Sequence, residues 1–509
     1  MLIPQVDRYR FPGLDSFGPD KGMSIPLNYK RLSSILLCSS LYTALFCQVT
    51  WRRTYGGVGM SEARSVRQTT DGGYIAVGST GSFGNGSSDI YILHLDAFGE
   101  PNWSRVYGGL GVDNGIACRE LQDGYIIAGT TSLGSNGSYD MLLIRTDLQG
   151  ELIWERNYGT GAWDICNSVE VLPDGFVLGG ITYGGGMLSG AAFIVRTDLN
   201  GDTLWTKEFG GPYRMECNGL CVTADQGIVM AGSMETGLGY EDGFVSKLDL
   251  DGNQLWLTPI GGDSTDILRS VVEDASGNLV ACGITRSGSD VAQIYLISLD
   301  AAGQYQWSQF LGNAADAGGT EIRRKLNGGF VFTGFNTLNL GEKDMILTTT
   351  DDLGDFQLGN NYGDGHPAEG FSLDPTADGG YVVAGWAEGY GPGLRAMYVV
   401  KTDNMLQTHD LTVLPYSDPL PIEDVAQPVV LILYPSLVTA GEAVHVPIVS
   451  TDIATARITD TRGALMATIP VPVVANPSLR IPNLAPGPYF LSIERKGLAP
   501  VVARFVVMW

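Results

Sequence analysis

Histidine is close to absent, four residues in 509, and His94, His366, His409 and His445 share no metal-ligand spacing. The chain holds no H-E-x-x-H, no G-x-S-x-G and no Walker A loop, so zincin, serine-hydrolase and P-loop chemistry each lack their signature. Basic residues are few: 31 Lys and Arg face 55 Asp and Glu, a formal net charge of −24. Nucleic acid and anionic membrane surfaces repel such a polyanion and are not expected partners; cations and basic surfaces suit it better. The seven cysteines form no C-x-x-C pair. Setting aside Cys38 and Cys47 in an N-terminal apolar segment leaves Cys118, Cys166, Cys217, Cys221 and Cys282. An odd number argues against a full disulfide framework and leaves single bridges open.

What the chain has in excess is glycine, 69 residues without a collagen period, and a repeat. From Trp51 the text runs W-x-x-x-Y-G-G, an acidic residue, an apolar strand, D-G-G-Y-I-A-V-G, then D-I-Y-I-L-H-L-D and a D-x-x-G turn. It returns at Trp103, Trp154, Trp205, Trp256 and Trp307, and a seventh time with Leu358 in the Trp slot. The spacing is 52 residues once and 51 thereafter. A fixed period near 50 built from short strands is the signature of a β-propeller with one blade per repeat. The expected fold class is therefore all-β, with a seven-bladed propeller over residues 48–407.

Turn residues divide each repeat into four strands: Asp71-Gly72-Gly73 and Asp96–Gly99 supply the positive-φ corners that hairpins need. Pro259 lies inside the strand after Trp256, where a proline is tolerated only at a sheet edge, so the Trp strand is the outer one. Trp51–Tyr55 then precedes the first blade. The seventh repeat ends at Asp403-Asn404-Met405-Leu406, without the Gly and without a following Trp strand. Trp51–Tyr55 is expected to close the ring as the outer strand of the last blade.

Residues 1–22 carry no periodicity and read as a spurious upstream extension. Lys30 and Arg31, the 15-residue apolar run Leu32–Phe46 and then Cys47-Gln48 read as a signal peptide over residues 23–47, too short for a membrane span. Translation is expected from Met23 and cleavage before Gln48. Acylation of Cys47 would need a small residue before it, and Phe46 is not small. No membrane span is expected in the mature chain. Residues 408–428 lose the repeat and gain Pro415, Pro419, Pro421 and Pro428, a linker composition. From residue 429, short strands with Pro and Gly turns predict a small β-sandwich, Ig-like in kind, over residues 429–509.

That tail carries Tyr434-Pro435, Asp460-Thr-Arg-Gly463, Leu484-Ala-Pro-Gly487-Pro-Tyr489 and Arg504-Phe-Val-Val507 in order. It resembles the C-terminal sorting domain of the type IX secretion system of Bacteroidota, whose marks are Y-P-N-P, D-x-x-G, L-x-x-G-x-Y and an apolar closing strand. Ser436-Leu437 stands in place of the second N-P, and Met508-Trp509 ends the chain where a basic residue is common. The Y-G-G…D-G-G-Y text is similar to propeller repeats often found upstream of such tails. The resemblance implies export through the periplasm, recognition of residues 429–509 by the type IX machinery, and a secreted or outer-membrane-surface protein.

The most regular polar feature is a carboxylate on the connection from each outer strand to the next inner strand: Glu62, Asp113, Asp164, Glu216, Asp266, Asp316 and Glu369. A propeller places all seven near the channel mouth, where they would concentrate cations or a basic ligand. The preferred reading is structural, each acid accepting backbone N–H bonds and pinning its own loop. The loop Phe83–Asp89, echoed at Leu133–Asp140, Leu238–Asp242 and Leu340–Asp344, offers oxygen ligands for Ca²⁺. Its spacing matches no calcium motif, so Asx turns are preferred; no metal and no cofactor are expected. Departures from the repeat are the better place to seek a site: Trp163, Tyr213-Arg214, His366 and Trp386, and the basic cluster Arg323-Arg324-Lys325. The expected function is a non-catalytic binding or scaffold propeller for an extracellular glycan or protein. The alternatives are a carbohydrate-active enzyme using acids at the channel mouth, and a purely structural surface component.

Overall fold

The computed structural model describes residues 48–409 apart from 133, 135–137, 185–188, 237–238, 313–314, 338–341 and 392. Beyond residue 409 it describes the strands between 413 and 508 with a few connecting residues. The extension 1–22, the signal segment 23–47 and Tyr434-Pro435 lie outside the described residues.

Each repeat forms one antiparallel four-stranded sheet, giving seven blades. In the first, Ser61–Gln68, Tyr74–Thr80, Asp89–Leu95 and Pro101–Tyr107 lie in chain order from the channel outward. Second and third strands are buried along most or all of their length, as in Tyr74–Thr80 and Asp89–Leu95, because blades stack against both faces. Outer strands alternate and stay half-exposed, as in Thr203–Phe209. The core accordingly lies between blades: Ile75, Val77, Ile90 and Ile92 of the first pack against Cys118, Tyr125, Ile127 and Ile144 of the second.

The recurrence of W-x-x-x-Y beside D-x-x-G has a direct cause. Residues four apart on a strand share a face, and where an outer strand carries both aromatics, as with Trp51 and Tyr55, Trp103 and Tyr107, or Trp154 and Tyr158, that face meets the D-x-x-G turn of the next blade. Trp51 Nε1 donates to Ala97 O at 3.1 Å and the Tyr55 hydroxyl to Gly99 O at 2.7 Å. Trp205 Nε1 meets Leu250 O at 2.9 Å, and the Tyr158 hydroxyl meets Gly201 O at 2.6 Å. The turn glycine must be Gly twice over. It sits at φ +78 in Gly150, and a Cβ there would come within 2.6 Å of the Trp103 ring. The last junction departs from this rule on both sides at once. Leu358 replaces the Trp, Leu406 replaces the Gly at φ +60, and both side chains enter one core cluster.

The ring closes as the sequence implies. Trp51–Tyr55 pairs antiparallel with Ala396–Thr402 of the last blade, Trp51 opposite Lys401 and Tyr55 opposite Met397. It is not the outermost strand, however. Val413–Tyr416 adds parallel to it, and Glu423–Asp424 adds parallel to the outer strand of the first blade, so the segment expected as a plain linker supplies edge strands. Farther on, Leu498–Met508, Gly487–Arg495, Ala454–Asp460 and Leu465–Val471 form one sheet, and Ala443–His445 pairs with Ser478–Arg480 in another. Leu479 of the second sheet joins Ile458, Leu491 and Ile493 of the first in a shared core. The Tyr489 hydroxyl of the L-x-x-G-x-Y motif donates to Ala485 O at 2.9 Å.

Candidate binding site in the central channel

Every inner strand carries a β-bulge at the same place in the repeat. The extra residue is Arg64, Ile116, Asn167, Asn218, Arg269, Thr320 and Phe371 in turn around the ring, and all seven line the axial channel. A bulge bends the strand and re-aims one side chain. Its cause lies in the neighbouring strand, where the final glycine of D-G-G-Y-I-A-V-G meets the bulged backbone. A Cβ on Gly78 would stand 1.9 Å from Glu62 O, and one on Gly283 1.9 Å from Ile267 O. Glycine there is required by the close approach of the two strands.

The channel divides into a mouth chamber of about 400 Å³ and a deeper cavity of about 110 Å³. The chamber is walled by Arg64, Asn167, Asn218, Arg269 and Phe371, with the Arg214 ion pairs at its side. Below it, ion pairs bridge between blades. Glu321 Oε1 accepts from Arg67 Nη2 at 2.6 Å and from Arg323 Nη2 at 2.7 Å, while its Oε2 accepts the Leu373 N–H at 2.8 Å. Burial alone would raise the Glu321 carboxyl; the Arg323 and Arg67 guanidiniums overcome it and hold the group at about 2. Arg119 Nε pairs with Glu170 across the next blade at 3.2 Å. Glu321 stands where other inner strands carry Ser65, Ser168, Ser270 or Ser372, so this carboxylate departs from the repeat.

The seven acids expected as one ring at the mouth do not form one: six split into two sets, because strand positions two and three residues before the bulge face opposite ways, and Asp316 precedes its strand. Asp113, Asp164 and Asp266 turn from the channel and are buried. Asp113 Oδ2 accepts the Gly109 N–H at 2.8 Å, Asp164 Oδ2 the Thr160 N–H at 2.6 Å, and Asp266 Oδ2 the Gly262 N–H at 2.9 Å. These three pin their own outer-to-inner-strand loops. Asp316 accepts the Ala292 N–H at 2.7 Å. Glu62, Glu216 and Glu369 stand two positions before the bulge and are paired: Glu62 with Arg64 at 2.6 Å, Glu216 with Arg214, and Glu369 with Lys343 at 2.9 Å. Third-strand aspartates sit behind the pinned loops. Asp89 Oδ2 accepts the Gly86 N–H at 3.0 Å, the turn expected of the Phe83–Asp89 loop. Burial and the Asp266 charge raise the Asp242 carboxyl. Burial raises Asp344 to about 6, against the lowering effect of the Gly363 N–H that it accepts, with the Asp364 charge adding to the rise.

The aromatic and basic candidates do not converge. Trp163 is 52% exposed and packs edge-on against Tyr139 at 5.3 Å, across the seam between two blades. Trp386, expected beside a loop, is buried in the strand Tyr381–Ala387 with the Arg395 guanidinium 3.8 Å from its ring centre. His366 lies against Tyr390 at 4.8 Å, and Arg214 is held by Glu216 and Glu241. Arg323 enters the channel, whereas Lys325 Nζ donates to Gln357 at 2.6 Å, so that cluster does not act as one patch. Cys118, Cys166, Cys217, Cys221 and Cys282 are free thiols; burial pushes Cys166 and Cys221 up to about 12, which keeps them protonated. Sequence reasoning missed the bulged arginines. Their signal was a position that varies freely, Arg64, Ile116, Asn167, between residues that the repeat holds constant.

No protein-family model matches the chain, and no curated protein does. Among solved structures it is similar to Sqt1 from Chaetomium thermophilum, at 10% identity and a TM-score of 0.40, over 69% of this chain and 98% of that one. It is similar to a protein of unknown function from Dyadobacter fermentans DSM 18053, at 12% identity and a TM-score of 0.40, over 69% and 97%. It is also similar to the β-propeller domain of the Trilobed protease from Pyrococcus furiosus, at 12% identity and a TM-score of 0.42, over 74% and 100%.

Proposed function

We propose that this chain is an exported binding propeller, delivered to the cell surface or medium through a type IX route by residues 429–509, with its ligand seat at the channel mouth. The observation that carries the binding half is the set of bulged residues. The repeat preserves Trp, Tyr, Asp and Gly wherever they build the blades, yet the seven side chains aimed into one space are two arginines, two asparagines, Thr, Ile and Phe. Architecture asks for nothing particular at these positions, and their diversity gives one chamber a specific chemical lining. A chamber of about 400 Å³ falls within the range of small-ligand sites. Binding is favoured over turnover because the acids nearest the channel, Glu62, Glu170, Glu216, Glu321 and Glu369, each face a guanidinium or an ammonium group. Hydrolysis by a carboxylate pair needs two environments that push the acidities apart.

Screening the purified chain on a glycan array, with turnover assayed on every hit, tests this half. Retained ligands without product are expected; release of product would establish the carbohydrate-active alternative instead. Export rests on the signal-like segment and the tail motifs. Cells of a type IX-competent host expressing residues 23–407 are expected to keep the protein in the periplasm, while the full chain reaches the surface. Surface display of the truncated form would remove the sorting role of the tail.

A further inference from the structure

Of the polar side chains that the bulges aim into the channel, most are already committed. Asn167 Nδ2 donates to Glu216 Oε1 at 2.9 Å and to Cys217 O at 3.0 Å, and Asn218 Nδ2 to Leu268 O at 2.9 Å. The Thr320 hydroxyl donates to Gly370 O at 2.7 Å. Arg64 places Nε and Nη2 on Glu62, lies with its guanidinium 4.1 Å from the Phe371 ring centre, and among the described residues keeps Nη1 without a partner. Arg269 is different. Among the described residues its guanidinium has no hydrogen bond and no ion pair, and it borders both the mouth chamber and the deeper cavity. Arg64 and Arg269 belong to the first and fifth blades, so they reach the same space from opposite sides of the ring. Burial depresses the Arg269 pKa, and the Arg64 charge adds to that, with Glu369 offsetting part of it.

An arginine carries five donors and stays charged; in this channel those donors face water rather than protein, so an anionic ligand can take them without breaking a protein contact. Five guanidiniums against two carboxylates line the deep cavity, in a protein whose net charge is −24. A cleft lined by one sign of charge focuses the field locally, whatever the sign of the whole. Size sets the remaining limit. The deep cavity of about 110 Å³ has room for a small polar group, and the chamber of about 400 Å³ above it for the body that bears it.

We infer that the channel is an oxyanion site in which Arg269 and Arg64 clamp a carboxylate, sulfate or phosphate group from opposite sides, with Phe371 beneath the Arg64 plane. The inference rests on the binding reading above and names the chemistry of its ligand. The oxyanion is either free or borne on a sugar, and the two sources are separable.

Isothermal titration of the purified full chain with sodium sulfate, inorganic phosphate and sodium glucuronate, against glucose and sodium chloride at matched ionic strength, tests it. One saturable site for at least one oxyanion is expected, with none for glucose or chloride. Tighter binding of glucuronate assigns a sugar-borne group; tighter binding of sulfate or phosphate assigns a free one. Arg269→Met keeps the apolar stem and removes only donors that have no partner among the described residues, so its melting temperature is expected to stay within about 2 °C of wild type while oxyanion affinity falls at least tenfold. Arg64→Gln is expected to weaken binding as well, giving a second variant should the first misfold. Absence of oxyanion binding to wild type, or binding unchanged in both variants, overturns the site. Neutral glycans that bind wild type and Arg269→Met alike would leave the binding propeller standing and remove only the oxyanion.

Discussion

A buried carboxylate is ambiguous in sequence, because its partners decide whether it is an anchor, a clamp or a liability. Asp113, Asp164 and Asp266 proved to be anchors, each accepting an N–H of its own loop. Glu321 is a clamp whose depressed pKa stabilises the fold above pH 4.5, with that contribution lost as pH falls through about 2. Asp344 works in the opposite direction. It is buried on the third strand of the sixth blade, accepts the Gly363 N–H, and titrates near 6 rather than 3.8. The native state therefore holds a proton that the unfolded chain has released, and stability falls as pH rises from about 4 through 6. Asp344→Asn keeps the acceptor and removes the charge. It is expected to be more stable than wild type at pH 7 by on the order of 2–3 kcal/mol, with the gap closing below pH 4. Urea unfolding of both proteins at pH 4 and pH 7 checks this; a gap independent of pH would mean that Asp344 ionises normally. Its echo of the Phe83–Asp89 loop was legible in the sequence, but its acidity was not, since that depends first on burial and then on the Gly363 N–H and the Asp364 charge, which only the fold brings to it.

At the level of strands and turns most of the fold could be read, because the repeat states the same local rule seven times. D-x-x-G turns, outer Trp strands and the closing role of Trp51–Tyr55 followed from glycine, proline and the unmatched ends. The bulge did not follow, since it arises where an inner-strand carbonyl presses onto a glycine of the next strand, and one strand read alone gives no sign of it. The two departures at Leu358 and Leu406 were visible separately, while their compensation needed the structure. Leu406 at φ +60 pays a left-handed cost of about 1–2 kcal/mol, and its buried side chain fills space that a Trp occupies at every other junction. Leu358→Trp alone is expected to destabilise by about 1–3 kcal/mol through overpacking against Leu406. Leu406→Gly alone relieves the backbone but leaves a cavity. The double substitution recreates the pairing of Trp103 with Gly150 and should be more stable than the sum of the singles by about 1–3 kcal/mol. Thermal unfolding of the four proteins measures this coupling; additive effects would mean that the two leucines are independent accidents of the last repeat.

For the whole ring, stability depends on a strand that arrives first in sequence and docks last in space. Trp51 and Tyr55 are buried, Arg52 Nε donates to the Thr408 hydroxyl at 2.9 Å, and Arg52 pairs with Asp364. Gln48 adds bonds to Asp378 O at 2.6 Å and from the Asn404 N–H at 2.9 Å, so both ends of the propeller are tied at one seam. This junction uses the same contact as the internal junctions that carry a tyrosine: the Tyr55 hydroxyl lies 2.7 Å from Gly99 O, and the Tyr158 hydroxyl 2.6 Å from Gly201 O. Equal contacts predict equal local strength, so Tyr55→Phe and Tyr158→Phe should each cost about 1 kcal/mol. Deleting residues 48–56 is a different matter. It uncovers the Ala396–Thr402 edge, removes the partner of Val413–Tyr416, and exposes the face of the first blade that Trp51 and Tyr55 cover. Two buried aromatics alone contribute about 4–6 kcal/mol, which in a domain of this size lowers the melting temperature by about 5–8 °C. An open ring also presents an unpaired strand edge, so the deletion is expected to aggregate on heating while the Phe variants do not. Calorimetry with light scattering on the three proteins separates the outcomes. A deletion that melts with the wild type, without association, would show that the six remaining junctions hold the ring and that the closing strand is dispensable.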